Sequence, residues 1–285
     1  MTTDSRFLQP DPSLAELSME ELHQRLNIPI YSGHRADFFQ FRGLSPAFDD
    51  IVARASAFND GYEDQCSAQY YYDLFDCVQS ADRAINRVVE VGVFMGGASV
   101  ILAGCADITG LELDLVDITR PYLHFTHERI RRTFPDQAPR VRMFHGDLPT
   151  YVRDVLMQEP DVRALVQHDG AHIFNQVVCD LSALSFVRPQ VYGLAIQDTH
   201  LRGVPPRFNF VDAAVCAVFG FQVAFAPMGV RYKADNEVMM TPNRFQGNYF
   251  LPERPEGMFV PMEGNEFQYP HPSIPLDAFL PNPGT

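Results

Sequence analysis

The sequence predicts an α/β fold, doubly wound around a mostly parallel sheet, with an N-terminal helical extension and a proline-rich C-terminal tail. Three observations predict it. Between residues 81 and 240 short β-branched runs alternate with helix-length stretches; a glycine-rich turn there joins one run to an apolar helix; and nine of the 22 prolines follow Met240. The 285 residues suit one main domain with appended segments, and the 46% hydrophobic fraction supplies a large core.

Residues 1–80 read as a helical extension. Stretches such as Ser13-Leu-Ala-Glu-Leu and Phe48-Asp-Asp-Ile-Val-Ala-Arg-Ala repeat apolar residues at helical spacing. In the main domain, 81–240, the expected strands are Val88–Val91, Leu113–Asp117, Val141–His145, Ala164–His168, Tyr192–Gln197 and Phe221–Ala226, with helices between them. The stretch 241–285 has little periodicity and many prolines, so an extended tail is expected. Its Phe245, Tyr249, Phe250, Phe259, Phe267 and Tyr269 are expected to pack across the sheet or onto a second subunit, which leaves a homo-oligomer open.

The formal net charge of −14 opposes a phosphate backbone, so nucleic-acid partners are not expected. The first residues lack the basic and apolar regions of a secretory signal, and no apolar run reaches the ~18 residues needed to span a bilayer, so a cytoplasmic protein without a membrane partner is expected. Five cysteines without metal-ligand spacing point to small buried hydrophobes rather than disulfides or a zinc site.

The run Val88-Val-Glu-Val-Gly-Val-Phe-Met-Gly-Gly-Ala-Ser-Val-Ile passes from strand through glycine turn into helix. Gly92, Gly96 and Gly97 let the backbone approach a ligand, and the helix N-terminus presents free N–H groups. The spacing Glu90-x-Gly92-x-x-x-Gly96 is not that of a dinucleotide turn, and a carboxylate at the strand end repels a pyrophosphate, so a cationic ligand fits better. Asp117 ends the second strand 25 residues after Gly92, where a carboxylate accepts hydrogen bonds from ribose hydroxyls. Asp147, in Phe144-His-Gly-Asp-Leu-Pro, ends the third and suits an adenine amino group. The plainer readings are that Glu90 caps a helix, Asp117 begins a turn and Asp147 caps the helix near Pro149. Their shared position at three strand ends favours one ligand crevice.

Taken in order, Glu90-x-Gly92-x-x-x-Gly96, Asp117, Gly146-Asp147 and His168-Asp-Gly-Ala-His172 resemble the class I S-adenosylmethionine-dependent methyltransferases over about residues 85–240. The stretch from His168 to Asp180-Leu, with Ala195-Ile-Gln-Asp198-Thr, is similar to the small-molecule group of macrocin-type O-methyltransferases and cephalosporin-hydroxylase-like proteins. The resemblance implies a Rossmann-like domain. It also implies that Glu90, Gly92 and Gly96 contact S-adenosylmethionine at its amino-acid end, Asp117 at its ribose and Asp147 near its adenine, with Met95, Ser99 and Asp169 at the cofactor too. It makes the N-terminal helices a lid, with Tyr70-Tyr-Tyr-Asp-Leu-Phe75 lining an acceptor pocket or packing in the core. The chain departs from relatives at Gln190-Val-Tyr-Gly193 and at Asp198-Thr199, where some relatives carry two adjacent acids.

Methyl transfer to a hydroxyl needs alignment with the sulfonium and help in removing a proton. Asp169 and His172 follow the fourth strand, and Asp198 and His200 the fifth, so all four are expected to share one pocket. His200 and His172 are the candidate bases, with Asp198 beside them, each against the alternative of a structural histidine. Asp169 and Asp198 offer paired oxygen ligands for Mg2+, against the alternative that one contacts the cofactor and the other fixes a loop or substrate. His168 reads as a locally bonded strand-end residue, and His124, His127 and His145 as structural. The expected activity is O-methylation of a small hydroxylated metabolite, with N-methylation open. The rivals are a nucleotide (NAD)-dependent oxidoreductase and a cofactor-binding protein without transferase activity.

Overall fold

The structure, a computed structural model, describes residues 6–30, 35–57, 64–203, 209–231 and 249–269. Its chain divides into two compact units, Met1–Gly146 and Asp147–Thr285.

The first unit runs β1 (Phe7–Leu8), α1 (Met19–Leu26), α2 (Pro46–Ser56), α3 (Ala68–Ala81), β2 (Arg87–Val91), α4 (Gly97–Thr109), β3 (Glu112–Asp117), α5 (Arg120–Thr133) and β4 (Val141–His145). Sequence sets the helix starts. Ser18 and Glu21 form a reciprocal capping box on α1, and Ser45 caps α2, which begins at Pro46. Strands β2, β3 and β4 pair in parallel, with Glu90 opposite Leu115 and Asp117 opposite His145. All five residues of β2 are buried, the charged Arg87 and Glu90 among its valines, as a strand covered on both faces of a parallel sheet is. The two-residue β1, which helical periodicity does not reveal, pairs antiparallel with β4. Helices α2 and α3 pack on α4, and α1 on α5. Tyr70, Tyr71, Leu74 and Phe75 of α3 lie in the core.

One close approach sets the helix layer. A Cβ at Gly104 of α4 would lie 2.6 Å from Ile51 Cγ1 of α2 and 2.9 Å from Phe134 Cζ. Gly104→Ala is therefore expected to destabilise the protein by about 1–3 kcal/mol through overpacking, which exceeds the helix-propensity gain of about 1 kcal/mol at its upper end. Urea denaturation checks this, and an unchanged or raised midpoint would show that α2 shifts away freely.

The second unit runs α6 (Leu148–Tyr151), continued by a π turn over Val152–Leu156, then β5 (Ala164–His168), α7 (Phe174–Ala183), β6 (Val191–Gln197), β7 (Leu201–Arg202), α8 (Val211–Phe219), β8 (Ala226–Arg231), β9 (Tyr249–Phe250) and β10 (Pro255–Pro261). Strands β5 and β6 are parallel; β10 lies between β6 and β8, antiparallel to both. β7 and β9 form a separate antiparallel pair. The parallel α/β core is thus as the sequence predicts.

Two expectations are corrected here. The sixth strand is Ala226–Arg231, not Phe221–Ala226: α8 stops at Gly220, Phe221 is 92% exposed, and the Asn265 amide ties up the N–H and C=O of Ala224 before pairing with β10 begins. The stretch after Met240 is also more than a tail. Pro255 and Pro261 stand at the ends of β10, so residues 256–260 keep the N–H groups that a ladder needs. Phe259 packs over Gly193, where a Cβ would meet its ring at 2.6 Å. Phe245 and the prolines at 242, 270, 272, 275, 281 and 283 lie outside the described residues. Among the described residues no helix is long and apolar enough to cross a membrane.

Candidate functional site

In the first unit the glycine turn is a braced loop. Gly92 N–H donates to the Val116 carbonyl at 2.9 Å, which leads the chain off β2 beside β3. Gly96 adopts φ 77°, and a Cβ there would meet Thr126 Cγ2 at 2.9 Å, so glycine is required twice over. Phe94 also has a positive φ, 45°, a strained state for a bulky residue that costs of order 1–3 kcal/mol. α5 holds it: Thr126 Oγ1 donates to the Phe94 carbonyl at 3.2 Å, Arg129 Nη1 to the Met95 carbonyl at 2.8 Å, and Tyr122 packs edge-on against the Phe94 ring. The Met95 side chain is buried with Leu14, Leu22, Ile28 and Phe125, joining the α1 region to the turn.

Asp117 closes the loop from the other side. Its Oδ2 accepts from Val93 N–H at 2.9 Å and its Oδ1 from Thr119 N–H at 2.7 Å. It therefore begins a turn, as the plainer reading has it, and also pins the glycine loop. Burial raises its carboxyl above the ordinary range against the pull of those N–H groups. The Thr119 hydroxyl and the Phe94 N–H also act on the carboxylate, so a ligand hydroxyl would share or displace one of these donors. Glu90 is buried on β2 and does not cap α4, whose N-cap is Gly96 without a side-chain bond. Ser99 is buried in the first turn of α4.

In the second unit Asp147 is the N-cap of α6, its Oδ1 accepting from Thr150 N–H at 3.0 Å. The strand-end acids and histidines do converge. One ligand atom each of Asp169, His172 and Asp198 lie within 4.8 Å of one another. His172 Nδ1 stands 2.5 Å from Asp198 Oδ2, with the two side chains 37% and 16% exposed. Partial burial favours the neutral ring, but the Asp198 charge and hydrogen bond, helped by Asp169, hold His172 up at about 9. Asp198 is correspondingly lowered despite its own burial, while burial and the neighbouring Asp198 drive Asp169 well up. Asp198 takes φ 61°, a left-handed conformation that aspartate tolerates.

His200 is buried beside this group. Burial, with Arg202 adding to it and Asp198 opposing it, holds the ring down at about 4, so it is neutral at working pH. Its carbonyl accepts from Leu251 N–H at 2.7 Å. His168 bonds Asp180 of α7 at 3.0 Å, a local role as expected of it. Thr199 turns away from the group: its hydroxyl donates to the Pro255 carbonyl at 2.7 Å.

Three partners have no local signal in the sequence. Gln197, oriented to satisfy both groups, donates to the Asp169 carboxylate. Asn209 Nδ2 donates to the His172 carbonyl at 3.0 Å across 37 residues. Arg129 reaches Met95 across 34. Of the three, Gln197 alone adjoins a candidate residue in sequence, one position before Asp198.

No protein-family model matches the chain, and no curated protein matches it. Solved structures with a similar chain path include apo CalS11, a TDP-rhamnose 3'-O-methyltransferase of calicheamicin biosynthesis, at 15% identity over 90% of this chain and 96% of that chain, TM-score 0.48. An O-methyltransferase from Bacillus cereus in complex with SAH is 12% identical over 76% of this chain and 91% of that one, TM-score 0.46. TomG from Streptomyces achromogenes, an O-methyltransferase of tomaymycin synthesis in complex with SAM, is 16% identical over 54% and 66%, TM-score 0.36.

Proposed function

We infer that the protein is an S-adenosylmethionine-dependent O-methyltransferase acting on a small hydroxylated metabolite. The observation that carries this is the glycine turn after β2, strained at Phe94, held open at Gly92 and Gly96, and pinned by the Asp117 carboxylate to Val93 N–H. Buried Glu90 at the end of β2 suits a sulfonium-bearing amino acid better than a pyrophosphate, which disfavours the NAD-dependent oxidoreductase. Glu90, Gly92, Met95 through its backbone, Gly96 and Ser99 are assigned to the amino-acid end of the cofactor, and Asp117 to its ribose.

When bound, S-adenosylmethionine supplies an electrophilic methyl group. The residues of the second unit, taken by themselves, suit the activation of a hydroxyl. Asp169 and Asp198 are hard oxygen donors 4.8 Å or less apart, which fits a divalent cation able to lower the pKa of an acceptor hydroxyl. Neutral His200 is assigned the proton. With the cofactor bound to supply the methyl group, His200 would accept the proton that the acceptor hydroxyl gives up on becoming a methyl ether.

Calorimetric titration with S-adenosylhomocysteine, with and without Mg2+, and with NAD(H) as control, tests the reading. Saturable micromolar binding of S-adenosylhomocysteine alone is the expected result; binding of NAD(H) instead would restore the oxidoreductase. Product analysis after an acceptor screen separates a transferase from a protein that only binds the cofactor.

A further inference from the structure

We propose that His172 is a third protein ligand to the divalent cation assigned to Asp169 and Asp198, and that this set of two carboxylates and one imidazole selects a transition-metal ion over Mg2+. The purpose of the site rests on the transferase reading; its ligand set does not.

Donor atoms around one ion at about 2.0–2.2 Å lie no more than about 4.4 Å apart. The Asp169, His172 and Asp198 donors, all within 4.8 Å, come within that limit by shifts of a few tenths of an ångström, and the cation displaces the proton of the 2.5 Å His172–Asp198 hydrogen bond, which opens so that both groups can ligate. Thr199, the residue after Asp198, spends its hydroxyl on the Pro255 carbonyl, so the remaining donor of the group comes from the loop after β5. Imidazole suits iron, zinc, nickel and copper ions; Mn2+ and Mg2+ both favour oxygen donors, but Mg2+ dehydrates reluctantly and keeps its waters, so a nitrogen ligand penalises Mg2+ more. Three protein ligands leave coordination positions open for a hydroxyl.

A separate observation points to a ligand at this place. Asn209 is 4% exposed, and its Nδ2 fixes the His172 carbonyl at 3.0 Å. Its Oδ1 is buried and meets no donor among the described residues. Such an acceptor is costly to bury unless something brings a hydrogen to it. A cation-bound water or the acceptor hydroxyl supplies one. Gln197, bonded to Asp169, is the outer partner that a ligating carboxylate normally has.

The test titrates the full chain, stripped with a chelator, with Mn2+ followed by electron paramagnetic resonance and with Mg2+ by competition. Mn2+ is expected to bind at least about tenfold more tightly than Mg2+, and His172→Ala to lower Mn2+ affinity by at least about tenfold, the scale at which even outer-shell partners act. His172→Asp should restore cation binding and tilt it toward Mg2+. Equal Mn2+ affinity in wild type and His172→Ala, or no preference for Mn2+ in wild type, overturns the proposal. S-adenosylhomocysteine titration of the same samples reads the transferase assignment separately: cofactor binding without any cation binding sinks the metal site and leaves the transferase standing. Should the alanine variant fail to fold, pulsed resonance on Mn2+-loaded wild type decides, since nitrogen coupling supports His172 ligation and its absence overturns it.

Discussion

His200→Ala is expected to lower kcat by about 10²- to 10⁴-fold, the usual contribution of a positioned general base, while S-adenosylhomocysteine affinity stays close to wild type. In barrier terms the loss is about 3–5 kcal/mol. The argument is one of protonation and place. His172 is held near 9 by Asp198, so in the absence of a cation its ring already carries the proton that a base must be free to take. His200 is held at about 4 by burial, so its ring is the one with a lone pair to offer at neutral pH. A base with so low a pKa is weak, and it suffices only where the acceptor hydroxyl is itself acidified, which is what the Asp169 and Asp198 carboxylates are assigned to arrange. The backbone bond from Leu251 to the His200 carbonyl survives the substitution, so the loop keeps that anchor. Single-turnover rates with saturating cofactor are the measurement. A variant that loses cofactor affinity and turnover in equal proportion would mark His200 as structural.

The sequence exposes the fold best where a single chain segment carries the whole signal. The β-branched runs that become β2 to β6 are bounded by turns and helix starts, and their limits shift by no more than a residue. Phe221-Gln-Val-Ala-Phe-Ala has the alternation of a strand, yet a side chain from 41 residues away, Asn265, claims the backbone of Ala224, and periodicity cannot register that competition. β10 was hidden by its own flanks: two prolines mark a loop in composition, but standing at the strand ends they leave the ladder intact. The candidate site divides in the same way. The glycine turn and the acids that end β3, β5 and β6 are local features of the sequence. The grouping of Asp169 and Asp198 follows from the rule that parallel strands place their ends together. That His172 turns onto Asp198, that Asn209 holds the His172 carbonyl and that Arg129 braces Met95 are long-range facts of packing, and no spacing in the sequence encodes them.

Asp117→Ala is expected to weaken S-adenosylhomocysteine binding by about 1–3 kcal/mol, the cost of leaving buried donors without their acceptor, or roughly 5- to 150-fold in Kd. The structure gives this carboxylate two tasks, and they must be separated. It bonds Val93 N–H and Thr119 N–H, so removing it loosens the glycine loop whether or not a ribose is touched. Asp117→Asn keeps an oxygen acceptor for one of those N–H groups and is expected to lose less than alanine does. A ligand lacking the ribose hydroxyls completes the cycle. If the carboxylate contacts the ribose, wild type loses affinity for the deoxygenated ligand and Asp117→Ala shows little further loss, because the interaction is already gone. If both proteins respond equally to deoxygenation, Asp117 only shapes the loop. Unchanged affinity in Asp117→Ala would remove it from the cofactor site, and with it the carboxylate that distinguishes a nucleoside-binding turn from a glycine loop that merely starts a helix.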